Sequence, residues 1–152
     1  VYEADGLALC IHSWQDWFMN SKLAELLKKR VAVFVSWQWR ETELSLAQVQ
    51  EICTQFVSPH GPQSIDYFLT DAVDIHNRSS KSFFKMLDEH EAKPFDLIVF
   101  LSADDLFLVS EDKIDFFTWI LSIQRPGGEA YFIRDDLFSG EPLRDFLPKL
   151  RY

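Results

Sequence analysis

Val31-Ala-Val-Phe-Val-Ser-Trp-Gln-Trp39 is the stretch on which the reading of the fold turns. It is continuously apolar and β-branched from Val31 to Val35, with none of the polar alternation of a strand that faces water on one side. A strand of this kind, Val31–Trp37, is expected at the centre of a sheet with both faces covered by helices. Upstream, Ser13 and Asp16 form an S-x-x-D helix start, and Lys28, Lys29 and Arg30 give a cationic end that suits the helix dipole. At 100° per residue Trp14, Trp17 and Phe18 fall on one side of that helix. Met19, Leu23, Leu26 and Leu27 fall on the other, so a break near Asn20–Ser21 is expected.

Downstream, residues 42–57 carry a helical stripe of Leu46, Val49, Cys53, Phe56 and Val57, ended by Ser58-Pro-His-Gly-Pro62. A second strand is expected at Ile65–Thr70, a helix at Ser79–His90 through Phe83, Met86 and Leu87, and a third strand at Phe95–Ser102. Residues 106–109 fit a short strand or the approach to a helix. Residues 111–123 fit a helix through Ile114, Phe117 and Leu121, and also a strand through Phe117, Trp119, Leu121 and Ile123. The turn signal Arg125-Pro-Gly-Gly128 before Ala130–Ile133 favours a hairpin between 117–123 and 130–133. Ser139 reads as the cap of a closing helix with Leu143, Phe146, Leu147 and Leu150 on one face. The fold class expected is α/β: a layered helix–sheet–helix domain with a mixed sheet. No Gly/Ser linker, repeat or low-complexity tract divides the chain, so residues 1–152 read as a single domain.

The formal charge of −9 is unevenly spread. Nine carboxylates between Asp88 and Asp115 face only Lys93 and Lys113, leaving −7 in that segment and a nearly balanced remainder. Such a field disfavours nucleic acid and anionic membrane, and favours a basic protein partner. Cys10 and Cys53 match no metal spacing and are expected as reduced thiols of a cytoplasmic protein. No apolar run is long enough to span a bilayer, and no basic region precedes an apolar stretch after Val1.

The run Val31–Trp39 resembles the central strand of the thioredoxin-like family, which ends in a tryptophan before the redox motif. Leu46-Ala-Gln-Val-Gln-Glu51 is similar to the start of the helix that follows, and Ile65–Asp74 to the next strand. Gly128–Ile133 through Leu143–Leu147 is similar to the last strand and helix. The resemblance implies a thioredoxin-like fold, but Arg40 and Glu43 stand where the family's two cysteines fall, and Phe117 precedes Thr118 where Pro-Thr is expected. The implied domain is therefore redox-inactive, with an insertion near residues 95–113. Phe34-Val-Ser36, Asp71 to Asp74 and Leu101-Ser102 also resemble strand ends of the TIR domain family, whose catalytic glutamate would fall near Phe116.

Residues of chemical interest gather where strands are expected to end. Asp71, Asp74 and His76 follow one strand, and Asp104 and Asp105 another, a pattern that suits a divalent cation such as magnesium or manganese or, more plainly, helix caps and turns. Ser36, Ser102, Cys53 and the histidines are the candidate nucleophiles and bases, but no Gly-x-Ser-x-Gly elbow or glycine-rich phosphate loop accompanies them. Trp37 and Trp39 would share one sheet face beside Arg40, and tryptophan and arginine are the residue types enriched at binding hot spots. The expectation is a non-catalytic interaction module, in the manner of an immunity or antitoxin protein. It would meet its basic partner through Trp37, Trp39, Arg40, Asp104, Asp105, Glu111 and Asp112, without a cofactor. The alternatives are a metal-dependent enzyme using Asp71, Asp74, His76, Asp104 and Asp105, and a structural domain of a larger assembly.

Overall fold

The computed structural model describes residues 14–36, 44–70, 81–107 and 113–141, with side chains undescribed at 14–20, 107, 113 and 114. Helix α1 (Trp14–Leu27) leads into strand β1 (Arg30–Ser36). Helix α2 (Leu46–Val57) and a 3-10 turn (Ser58–His60) precede β2 (Ser64–Thr70). Helix α3 (Lys81–Ala92), β3 (Leu97–Phe100), the helical turn α4 (Asp104–Phe107) and α5 (Lys113–Gln124) follow. The pair β4 (Glu129–Phe132) and β5 (Leu137–Phe138) closes the described chain.

The five strands form one sheet in the order β2-β1-β3-β4-β5. The pairs β1–β2, β1–β3 and β3–β4 are parallel, and only β5 runs antiparallel to its neighbour. Strand β1 therefore lies inside the sheet, and its residues from Val31 to Ser36 are all buried, as the apolar run predicts. Its side chains divide by parity. Val31, Val33 and Val35 pack with Leu27 of α1 and with Val49, Cys53 and Val57 of α2. Ala32 and Phe34 pack on the other face with Phe83 and Met86 of α3 and with Phe116, Ile120 and Ile123 of α5. Aromatic pairs fill that second layer: Phe100 stacks on Phe132 at 4.8 Å between ring centroids, and Phe34 meets Phe83 edge-on at 5.6 Å. Each pair adds about 0.5–1.5 kcal/mol beyond its buried area. Helix α2 starts from a full capping box, in which Ser45 Oγ accepts from the Gln48 amide and the Gln48 side chain accepts from the Ser45 amide.

Several expectations are corrected. Helix α1 is continuous through Asn20–Ser21; Leu23, Leu26 and Leu27 pack against the α2 layer without a break. Residues 113–124 are helix, and its core face is Phe116, Ile120 and Ile123 at i, i+4 and i+7 rather than the expected stripe through Phe117 and Leu121, the latter being 56% exposed. The hairpin is made instead by β4 and β5 around a turn in which Asp136 adopts a φ of 47°. Tyr131 Oη donates to Asp136 Oδ1 at 2.8 Å and holds that turn. Residues 95–113 are not an insertion, since β3 lies at the middle of the sheet and pairs with both β1 and β4. Ser139 Oγ accepts from the Ala130 amide at 2.7 Å and donates to Glu129, tying the end of the β4–β5 pair together. Trp37 and the expected helix through Leu143, Phe146, Leu147 and Leu150 lie outside the described residues.

Candidate functional site

The chain leaves β1 to form β2 on one side, then returns across β1 to form β3 on the other. In such a sheet the crevice opens beyond the carboxyl ends of the two strands where the winding reverses. Those ends are Ser36 on β1 and Leu101–Asp105 after β3. Ser36 is paired in register with Thr70, the last residue of β2. Ser36, Thr70, Ser102 and Asp105 are all buried here, so four of the buried polar side chains among the described residues gather at the carboxyl pole.

Asp105 joins Ser36 and Ser102. Its Oδ1 accepts a short hydrogen bond from Ser36 Oγ, and its Oδ2 accepts from the Ser102 amide at 3.2 Å. Ser102 in turn starts α4, its carbonyl accepting from the Asp105 amide at 3.0 Å and its Oγ from the Asp104 amide at 3.1 Å. Asp135, in the turn after β4, accepts from the Ala103 amide at 2.7 Å. Carboxylates and hydroxyls thus satisfy the backbone groups at the start of α4, as Asp and Ser do at turns and helix starts. On the α2 side of the sheet, burial pushes the Cys53 thiol up to about 12, Asp105 adds to the rise and Arg134 opposes it. A thiol so placed is inert at neutral pH.

A serine hydroxyl donating to a carboxylate is the contact a general base makes with a nucleophile. Here both partners are wholly enclosed, with Ser36 and Asp105 each at 0% exposure. The sequence marks Ser36 and Ser102 as candidate nucleophiles and Asp105 as an acidic surface residue; the structure joins Ser36 to Asp105 in one buried pair. Asp105 is therefore not available to a partner surface, and Asp104 is half-buried beside it. The signal for the pair was present, a serine closing a buried strand and an aspartate just beyond the next, but pairing needs the order of strands.

The acidic segment is also divided. Asp88, Glu89 and Glu91 are exposed near the end of α3, before β3, while Asp104 and Asp105 follow it, so the run spans both ends of the sheet and is not one face. Trp37, Trp39, Arg40, Asp71, Asp74, His76, Glu111 and Asp112 lie outside the described residues. Among the described residues no group of three or more His, Cys, Asp or Glu side chains is arranged to hold a metal ion. Among the same residues no helix is long and apolar enough to cross a membrane.

No protein-family model and no curated protein sequence matches the chain. A solved structure does: the N-terminal catalytic domain of TP901-1 integrase superposes with a TM-score of 0.62 at 14% identity, over 79% of this chain and 88% of that one. This overturns the thioredoxin-like resemblance, and the TIR rival with it. The corrected particulars agree: Phe117 and Thr118, where that resemblance expects Pro-Thr, lie inside helix α5, and Phe116, near the TIR glutamate position, is core. The described chain is an α/β domain with a mostly parallel five-stranded sheet, similar in fold to the N-terminal catalytic domain of TP901-1 integrase.

Proposed function

We propose that this domain uses an integrase-type fold to bind a basic protein partner at its carboxyl pole, with the Ser36–Asp105 pair serving as the structural floor of that pole. The observation that carries the reading is the burial of the pair. A serine that attacks a phosphodiester has to be reached by the nucleic acid backbone and needs cations around the charge that develops on phosphorus. Ser36 is enclosed, its hydroxyl is held by a carboxylate, and Asp104 and Asp135 flank the same turn. A formal charge of −9 further opposes approach of a polyanion. The residues next to the pole in sequence, Trp37, Trp39 and Arg40 after β1 and Glu111 and Asp112 before α5, combine hot-spot residue types with acidic charge.

Two measurements test this. Incubation with supercoiled and linear DNA should give no nicking and no covalent protein–DNA adduct. An adduct abolished by Ser36→Ala would establish the catalytic alternative that the integrase likeness raises. Affinity purification from the native host should recover a basic protein whose binding weakens from about 50 to about 300 mM salt, as screening shortens the reach of exposed charge. The variant Asp104→Lys/Glu111→Lys/Asp112→Lys should bind it with a slower on-rate. Equal on-rates for the variant and wild type would refute the acidic-pole reading.

A further inference from the structure

The pole opposite the candidate site holds a titratable group that the proposed function does not use. His90, in the last turn of α3, is fully buried where three connections converge: the α3–β3 link, the α5–β4 link and the start of β1. Its Nδ1 accepts from the Phe95 amide at 3.0 Å. Its Nε2 faces the Ile123 carbonyl at 2.6 Å. A backbone amide can only donate and a carbonyl only accept, so the ring is fixed as the neutral tautomer with its proton on Nε2. Between the two nitrogens, Cε1 faces Gly128, where a Cβ would come within 2.6 Å of that atom. The ring lies parallel to Phe95 at 6.0 Å between centroids.

The surroundings act against a second proton. Arg30 sets its guanidinium 4.1 Å from the Phe95 ring centre and donates to the carbonyls of Lys93 and Pro94. Its charge and the burial of the imidazole both favour the neutral ring, burial more strongly, over the opposing pull of the Ile123 carbonyl. The remaining charged groups of the elements that meet here are Asp66 on β2, Lys93 and Asp96 before β3, Glu89 and Glu91 on α3, and Arg125 and Glu129 around the α5–β4 link. Asp96 accepts from the Arg30 amide at 3.1 Å, and Asp66 lies 3.8 Å from the Arg30 guanidinium, so two of these carboxylates are engaged with Arg30.

We propose that His90 is an acid-sensitive latch on the amino-terminal pole: a proton on Nδ1 turns it from acceptor to donor, expels the Phe95 amide and releases the α3–β3 and α5–β4 links together. The latch is coupled to backbone that also joins the strands, because the Asp96 carbonyl accepts from the Glu129 amide at 3.2 Å and the Ile123 carbonyl accepts from Gly128 at 3.3 Å. Acid therefore loosens the attachment of α3 and α5 to the sheet from the end remote from Ser36 and Asp105.

Hydrogen exchange at the Phe95 amide, corrected for its intrinsic pH dependence, reads the latch directly. The open state takes up a proton near the ordinary value of 6.5, which the closed state resists. Protection at Phe95 should thus be constant above about pH 7 and fall about tenfold per pH unit below about 6.5. Amides of β1 such as Val33 should keep theirs longer. His90→Gln offers an acceptor and a donor without a titrating group, and should flatten the slope. Nitrogen shifts of the wild-type ring should show the Nε2-H tautomer at neutral pH, which keeps the test open if the variant fails to fold. An Nδ1-H tautomer, or Phe95 protection unchanged between pH 7 and pH 5, would overturn the proposal.

Discussion

Replacing Gly128 by alanine isolates the close packing around His90 from the backbone freedom of glycine. Gly128 does not hold a positive φ, so alanine meets no conformational penalty there and gains about 0.4–1 kcal/mol by narrowing the unfolded ensemble. Against that gain stands space. The new Cβ would sit 2.6 Å from His90 Cε1, 2.6 Å from the Phe95 carbonyl oxygen and 3.2 Å from His90 Nε2. The carbonyl belongs to a backbone whose amide is held by His90, so neither neighbour yields without breaking the His90–Phe95 or His90–Ile123 contact. Overpacking costs about 1–3 kcal/mol, and loss of one buried hydrogen bond adds about 1–3 kcal/mol. The net expectation is a destabilisation of about 1–5 kcal/mol, a fall in Tm of about 2–20 °C for a chain of this size. Gly61→Ala is the control: it has open space within 4 Å but a φ of +67°, so its cost of about 1–2 kcal/mol is backbone strain alone. Urea melts of both variants separate the two. A Gly128→Ala midpoint equal to wild type, or a loss smaller than that of Gly61→Ala, would refute the packing argument.

Ser36→Ala withdraws a donor from a buried carboxylate and should cost about 1.5–3 kcal/mol, while Asp105→Ala removes the carboxylate acceptor of both Ser36 Oγ and the Ser102 amide and should cost about 2–4 kcal/mol. The double variant should lose at least about 1 kcal/mol less than the sum, and simple additivity in a urea-melt cycle would mean that the pair does not act as a unit. Cys53, its thiol pushed up to about 12, should not react with a thiol reagent at pH 8 in the native protein and should react at once in denaturant; rapid native labelling at Cys53 would show that α2 parts readily from the sheet.

The layers were legible in the sequence where one period stood alone. Val31–Val35 allowed no surface strand, and the stripe of Val49, Cys53 and Val57 allowed no element but a helix facing one layer. Legibility failed where apolar residues lie all round. In 113–124 the helical set of Phe116, Ile120 and Ile123 competes with the alternation of Phe117, Trp119 and Leu121, and only packing on β4 decides. The misassigned family came from the same limit. A buried apolar strand ending in a polar residue occurs in many parallel sheets, and the strand order β2-β1-β3-β4-β5 is a long-range property that local pattern does not encode. Asp105 illustrates the point for the site. Its charge placed it on a surface, and the strand order places it under Ser36.

The position of β1 also sets the order in which the domain can assemble. Val31 pairs with Ile65 and with Leu97, so this buried strand needs partners from two later parts of the chain. As the chain emerges from a ribosome, β1 can first close with β2 through α2, a two-stranded unit still bare along the edge that β3 will occupy. Until residues up to Phe100 have been made, Val31, Val33 and Phe34 remain open to wrong pairings and to other chains. Slow folding is the expected cost of placing β1 between two strands that follow it in the chain.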